Sequence, residues 1–276
     1  MRYCPGGSTR SLEGPPNNSV KGAEGHLSAG SKSTSNSRQS PDLYERNLEA
    51  SRQRALALLP RLDVEDILVD AGCNTGEMSI RAIKATGAGS AIGLEIDPGS
   101  ASKANGDLVR VIVSDLDSAI PLATESVQVV FAHHVFAHLT SHDTFVREVW
   151  RILIPGGTCV VSTENLSAWH NIFALSMGFQ DFSHNPSSVW YLGNPLSPHY
   201  RQRTPPSFSP HYKVFTPRSL REIFVAYGFN VDKWIGTGFY PAPRPVSKLL
   251  ESVDPWHAQF LTVRAVKPTR NTRKTQ

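Results

Sequence analysis

The stretch Ile67-Leu68-Val69-Asp70-Ala71-Gly72-Cys73-Asn74-Thr75-Gly76 decides the fold of this chain. Three apolar residues lead into an acid and two glycines, and a segment with helical spacing follows. The pattern predicts a buried strand that turns sharply into a helix, because glycine allows a tight turn and leaves room for a ligand near the backbone. Many nucleotide-binding folds share Gly-x-x-x-Gly, so the rest of the chain must distinguish between them.

Further apolar runs repeat the strand pattern along the chain. Strands are predicted at 91–95, 109–113, 127–131, 158–163, 229–236 and 259–266. Helices are predicted between them at 42–59, 76–86, 142–153 and 217–227, with a helix or turn near 98–107. Such alternation predicts a doubly wound α/β domain with a mostly parallel, Rossmann-like sheet of about seven strands. Asp70, Glu95 and Asp115 each follow a strand, so we expect them at the carboxyl edge, where these sheets bind ligands.

With these residues the chain resembles the class I S-adenosylmethionine (SAM) dependent methyltransferases, in particular the type 11 group. The likeness covers about residues 65–165, and a weaker one continues from Phe215 to Phe229. Its landmarks are 69–76, 93–97, Ser114-Asp115, Ala137-His138-Leu139 and Arg151-Ile152-Leu153-Ile154-Pro155-Gly156-Gly157. Asn74 stands where the family usually has glycine, and Gln128 where it usually has an acid. Asparagine tolerates a positive φ better than most residues, so we expect the turn to survive.

The resemblance implies SAM as the cofactor and gives roles to the strand-end acids. Asp70 would anchor the ammonium group, directly or through water, and Asp115 would accept from the adenine amine. Glu95 would accept hydrogen bonds from both ribose hydroxyls, since a carboxylate has lone pairs for two donors. Asp97 competes for that role, but Glu95 follows its strand directly. The predicted cofactor-binding residues are Asp70, Gly72, Cys73, Asn74, Gly76, Glu95, Ile96, Asp115, Leu116 and His133.

Methyl transfer from a sulfonium depends mainly on placing the acceptor close to the methyl group. A hydroxyl acceptor would also gain from a general base. His134 and His138 follow the fourth strand and are the predicted bases, while His133 is a weaker choice. No carboxylates flank these histidines, so no metal site is predicted.

The acceptor is expected to bind in an insertion at 165–214, which is rich in aromatic residues and proline. So many aromatic side chains would be costly to expose, so the segment must fold over something. Packing on the domain's own core and forming a lid over an acceptor pocket are both compatible with this composition. Trp169, Trp190, Tyr191 and Tyr212 are the predicted acceptor-binding residues. Arg201, Arg203 and Lys213 in the same segment suggest a carboxylated, phosphorylated or glycosylated acceptor.

The charge and composition of the chain divide it into three parts. Residues 1–40 are poor in large apolar residues and are predicted to be a disordered extension, and 267–276 a basic disordered tail. The methyltransferase domain is expected at 41–266. The whole chain carries +4 and the two ends together +7, so the domain is left with −3. This charge argues against a surface built to bind a phosphate backbone.

These features favour a cytoplasmic enzyme that methylates a small molecule, with oxygen acceptors slightly ahead of carbon and nitrogen. Three cysteines without a Cys-x-x-Cys pair indicate a reducing compartment, and no stretch is apolar enough to span a membrane. Two alternatives stay open: an RNA methyltransferase guided by the basic ends, and a non-catalytic interaction protein with the same fold. A nicotinamide dehydrogenase would need Gly-x-Gly-x-x-Gly at the first turn, which Gly72 to Gly76 lacks.

Overall fold

The computed structural model describes residues 43–205 and 209–269, and its strands form one seven-stranded sheet. In chain order the strands are β1 (Leu68–Ala71), β2 (Ala91–Glu95), β3 (Val109–Val113), β4 (Val127–His133), β5 (Leu153–Glu164), β6 (Asn230–Thr237) and β7 (Phe260–Val266). They lie side by side in the order β3-β2-β1-β4-β5-β7-β6. The first five strands run parallel, while β7 is antiparallel to both β5 and β6. The predicted α/β fold with a mostly parallel sheet is therefore confirmed.

Helices cover both faces of this sheet. They are α1 (Leu43–Leu56), α2 (Glu77–Thr86), α3 (Pro98–Ala104), α4 (His142–Ile152), α5 (Trp169–Ser176), α6 (Pro217–Ala226) and α7 (Arg244–Val253). Residues alternate between two buried clusters along β4: Val130 joins Phe145 and Phe224 of α4 and α6 on one face. Phe131 packs with residues of α1 and α2 on the other. Each strand therefore lies between two apolar layers, as a doubly wound sheet requires.

The helix ends follow the sequence signals closely. Thr216 caps α6, since its hydroxyl accepts from the Ser219 backbone N–H and the Ser219 side chain reaches back in a capping box. Gly87 ends α2 with a φ of 89°.

The sequence interpretation did not predict α5 or α7. It also began β5 too late, because the strand already starts at Leu153, before the Pro-Gly-Gly turn.

Lys267 is buried, although the sequence interpretation placed it at the start of the basic tail. Its ammonium group donates to the backbone carbonyls of Trp150 and Leu153, at 2.9 and 2.7 Å, and pairs with Glu125. The side chain thus joins the end of β7 to the start of β5. The predicted extension 1–40 and the tail from residue 270 onward lie outside the described residues.

Candidate active site

The turn after β1 is shaped by residues with positive φ. Gly72 and Gly76 have φ values of 77° and 82°, and Asn74 adopts 48°. A Cβ on Gly72 would lie 2.6 Å from Cγ2 of Val135, so only glycine fits there. The backbone can therefore approach a ligand closely, as the sequence predicts. Gly76 starts α2 but does not itself line the cleft beside the turn.

Cys73 in this turn packs inward. Its sulfur occupies the space beside Gly93, where a Cβ would come within 2.6 Å of it. Burial, followed by the charges of Asp70 and Glu95, raises the pKa of the Cys73 thiol to about 12. The thiol is therefore protonated at neutral pH, so Cys73 is a packing residue of the turn.

Asp70 ends β1 as a buried acid. Its side chain is 1% exposed and accepts a hydrogen bond from the Ser79 hydroxyl. Burial raises its pKa to about 6, with a smaller contribution from the nearby charge of Glu95, although the Ser79 hydrogen bond acts in the opposite direction. A cationic ligand beside Asp70 would favour the ionised form of the carboxyl group and so lower its pKa.

Glu95 ends β2 and holds the two adjoining loops together. One carboxylate oxygen accepts from the Asn74 backbone N–H at 2.8 Å, and the other accepts from the Asp97 backbone N–H at 2.9 Å. Each oxygen keeps a second lone pair for a ligand. Asp97 instead caps α3 by accepting from the Ser100 N–H. Glu95 and Asp97, which the sequence offers for the same role, therefore make different contacts in the structure.

A cleft of about 750 Å³ opens along the carboxyl edges of β1 to β4. Every predicted cofactor-binding residue except Gly76 lines it: Asp70, Gly72, Cys73, Asn74, Glu95, Ile96, Asp115, Leu116 and His133. Leu116 is buried beneath the cleft, whereas Ile96 is 64% exposed at its rim. The cleft thus combines apolar walls with carboxylates, which suits a ligand that carries both an adenine ring and cationic groups.

A second cavity, of about 530 Å³, lies between α1 and the segment 165–214. Both cavities are lined by the same four residues, Tyr44, Glu164, Ser209 and His211. The two spaces therefore adjoin at these side chains, which we call the junction.

The three histidines after β4 have different surroundings. His133 lies against the Ser162 hydroxyl, and burial, followed by the neighbouring His134, lowers its pKa well below the ordinary value. Nδ1 of His138 lies 3.0 Å from the Pro210 carbonyl oxygen, which only accepts, so Nδ1 carries the proton and Nε2 keeps a lone pair. Burial lowers the pKa of His138 as well. His134 and His138 line the cleft along β1 to β4 but not the second cavity.

The sequence interpretation missed two residues at the junction, Glu164 and His211. Glu164 ends β5, and one of its carboxylate oxygens lies 3.1 Å from Nδ1 of His134 and 3.7 Å from Nε2 of His211. Nδ1 of His211 donates to the Ser183 carbonyl at 2.7 Å, which holds the ring in place. Glu164 follows a strand as the other three acids do, so the same signal was present in the sequence.

The predicted acceptor-binding aromatic residues separate into two groups. Tyr191 lines the second cavity and Tyr212 the cofactor cleft. Trp169 lines neither, because its indole N–H donates to Asp254 near the end of α7, and Trp190 lies under the Arg203 guanidinium outside both cavities. The assignment of these two tryptophans to the acceptor pocket is therefore corrected.

The basic residues of the segment also lie away from both cavities. Arg201 stacks on Tyr200 and Arg203 on Trp190, and neither they nor Lys213 line the cleft or the second cavity. These three cations therefore do not line either cavity, and the expectation of an acidic acceptor gains no support from them. Within 43–205 and 209–269, no cluster of histidine, cysteine or acidic residues is arranged to hold a metal ion, and no helix has the length and apolar content of a membrane span.

Comparison with known proteins agrees with this architecture. Residues 69–161 match the family described as a methyltransferase domain. A probable S-adenosylmethionine-dependent methyltransferase of Mycolicibacterium smegmatis is 34% identical over 128 residues, which are 45% of this chain and 49% of that protein. The match therefore spans about half the length of this curated relative.

Solved structures share the fold at low sequence identity. A methyltransferase in complex with the Trm112 activator of Haloferax volcanii has a TM-score of 0.55 at 19% identity, covering 82% of this chain and 92% of that one. The geranyl diphosphate C-methyltransferase of Streptomyces coelicolor, solved with S-adenosyl-L-homocysteine, has a TM-score of 0.53 at 14% identity, covering 81% of each chain.

The strand order and the glycine turn with its acids are those of the class I methyltransferase fold, and residues 69–161 are similar to the methyltransferase domain family. More narrowly, the curated relative that it resembles is a probable S-adenosylmethionine-dependent methyltransferase. The residues present suit this cofactor, since the cleft offers carboxylates for a ribose diol and for cationic groups beside a bare backbone turn.

Proposed function

We propose that the protein transfers a methyl group from SAM to a small-molecule acceptor. The observation that carries this proposal is the meeting of the cofactor cleft and the second cavity at Tyr44, Glu164, Ser209 and His211. In-line displacement needs the acceptor atom beside the methyl carbon, and two adjoining cavities provide that placement. When bound, SAM supplies the methyl group as part of a sulfonium ion.

The chain's own residues would orient the cofactor in the cleft. Asp70, in its ionised form, would pair with the ammonium group, and Glu95 would bind the ribose hydroxyls while it fixes the turn at Asn74. Asp115 is exposed at the mouth of the cleft, where its carboxylate would accept from the adenine amine. These roles rest on the geometry of the strand ends and on the properties of the family.

An oxygen acceptor is the first choice for the methylated atom, because basic side chains lie close to the junction. His138 has an unprotonated Nε2 and would take up the hydroxyl proton, directly or through water, whereas His134, the other predicted base, is paired with Glu164. Both cysteines in the described residues are free and buried. This agrees with a reducing compartment, and we place the protein in the cytoplasm.

Calorimetric titration with SAM and with S-adenosyl-L-homocysteine tests the proposal most directly. We expect micromolar binding, and we expect Glu95→Ala to weaken it at least tenfold, about 1.4 kcal/mol, since the carboxylate serves both the turn and the ligand. Asp97→Asn is the matched control, because it keeps the cap of α3 and lies outside the cleft. Folded protein that binds neither compound would refute the proposed function.

A further inference from the structure

Glu164 carries a buried oxygen that no side chain or backbone group satisfies among the described residues. The residue is 8% exposed, and its Oε1 is the atom that faces His134 and His211. Its Oε2 has no hydrogen-bond partner within 43–205 and 209–269. A buried carboxylate oxygen without a donor is costly, and native proteins rarely leave one unexplained. Because Glu164 lines both cavities, a bound molecule is well placed to supply the missing donor.

The surroundings of Glu164 keep it ionised. Burial alone would raise the pKa of its carboxyl group, but the charge and hydrogen bond of His134, with a contribution from His211, outweigh burial. The pKa of Glu164 therefore lies below its ordinary range. A carboxylate of this kind accepts hydrogen bonds but has none to donate.

The second cavity is lined by acids but by no permanently charged cation. Its acids are Glu45, Asp181 and Glu164, its basic side chains are the histidines 170, 184, 199 and 211, and no lysine or arginine occurs among the described residues that line it. Asp181 is already satisfied, since its carboxylate accepts from the backbone N–H groups of Ser183 and His184 and pairs with the His184 ring. Glu164 is thus the acid at the junction with an oxygen left for a ligand.

The walls of the cavity are aromatic around these acids. The rings that line it belong to Tyr44, Phe182, Tyr191, Tyr240 and Phe260. Aromatic faces attract cations and pack against flat apolar groups, whereas they offer nothing to an anion. The acids of the cavity and its aromatic side chains therefore both favour a neutral or cationic molecule over an anionic one.

We propose that the acceptor donates a hydrogen bond from a hydroxyl or amine group to Oε2 of Glu164, and that this cavity selects neutral or cationic acceptors over anionic ones. His134 and His211 are positioning residues, because they hold the carboxylate through its other oxygen. This inference rests on the proposed function and names the substrate class of the same site.

The test compares three phenols of nearly equal size on protein saturated with S-adenosyl-L-homocysteine. Tyramine carries a positive charge, tyrosol none, and 4-hydroxyphenylacetate a negative charge. We expect calorimetry to show that tyramine binds most tightly and the carboxylate most weakly, with at least a tenfold difference between them. Equal affinities, tighter binding of the anion, or no binding of any of the three at millimolar concentrations would each overturn the inference.

Two variants connect the selectivity to Glu164. Glu164→Gln still accepts from His134 but presents an N–H₂ group at the free position, so we expect tyramine affinity to fall about tenfold and the charge preference to shrink. Glu164→Asp retains the charge and should keep the order of affinities. An unchanged preference in Glu164→Gln would also overturn the inference. If Glu164→Gln does not fold, the affinities of the natural protein for the three phenols decide whether the inference holds. Absence of S-adenosyl-L-homocysteine binding by the natural protein would instead count against the proposed function.

Discussion

Replacing Asp70 by asparagine should stabilise the protein without ligand and weaken its binding of the cofactor. Asp70 is 1% exposed and its pKa is about 6, against an ordinary value of 3.8. Burial raises this pKa, because the ionised form loses its water. Asparagine has the same shape and still accepts the hydrogen bond from Ser79, but it never carries the charge.

The size of the effect follows from the pKa difference. A native pKa above the unfolded value means that the group stabilises the native state fully at low pH, below about pH 4, and that this contribution is lost as pH rises through about 6. A difference of about two units corresponds to about 3 kcal/mol. We therefore expect Asp70→Asn to raise the free energy of unfolding by about 1–3 kcal/mol near pH 7.5 and to leave it almost unchanged near pH 4.

Urea unfolding at both pH values, together with calorimetry, checks this prediction. Without the carboxylate at position 70, the affinity for S-adenosyl-L-homocysteine should fall at least tenfold, since the ammonium group loses its partner. Binding of the natural protein should also weaken as pH falls from about 7 to about 5, because Asp70 takes up a proton, and the Asp70→Asn variant should lack that part of the pH dependence. A variant that is less stable at neutral pH, or that binds the ligand normally, would refute the reasoning.

Two further substitutions test the packing of the site. Gly93→Ala would bring a methyl group within 2.6 Å of the Cys73 sulfur, so we expect urea unfolding to show a loss of about 1–3 kcal/mol, whereas Gly106→Ala, with open space around it, should be neutral. Lys267→Met would leave the Leu153 carbonyl without its buried donor, and we expect a loss of about 1–3 kcal/mol in the same assay. A neutral result for Lys267→Met would mean that this residue belongs to a tail after all.

The grouping of the predicted cofactor-binding residues along one cleft was predictable because its signals are local. Asp70, Glu95 and Asp115 each stand at the end of an apolar run, and parallel strands bring such ends to one edge. The positive φ of Asn74 agrees with the tolerance of asparagine for this conformation. Glu164 carries the same strand-end signal, so its place at this edge of the sheet was equally predictable from the sequence.

The second cavity was harder to predict because it depends on residues far apart in sequence. His211 meets Glu164 only because residues 165–214 fold back over β5, with the Tyr212 backbone N–H donating to the Ala137 carbonyl. Aromatic content predicts that such a segment is packed against something, but it does not say which ring faces inward. Trp169 packs near α7. The sequence does not predict this helix, because prolines at 241, 243 and 245 lie just before and within its first turn.

The position of Glu164 also indicates which kinetic constant it should affect. In the proposed reaction a positive charge would pass from the sulfonium sulfur towards the acceptor atom, and both atoms would lie near the junction of the two cavities. A carboxylate at the junction would stabilise this positive charge both in the bound ground state and in the transition state. The free-energy barrier between the two states therefore changes little. We therefore expect Glu164→Gln to raise the KM for the acceptor about tenfold, with a smaller change in kcat. A large loss of kcat at unchanged KM would mean that Glu164 acts in the transition state alone, as a base does, and would contradict a role in binding.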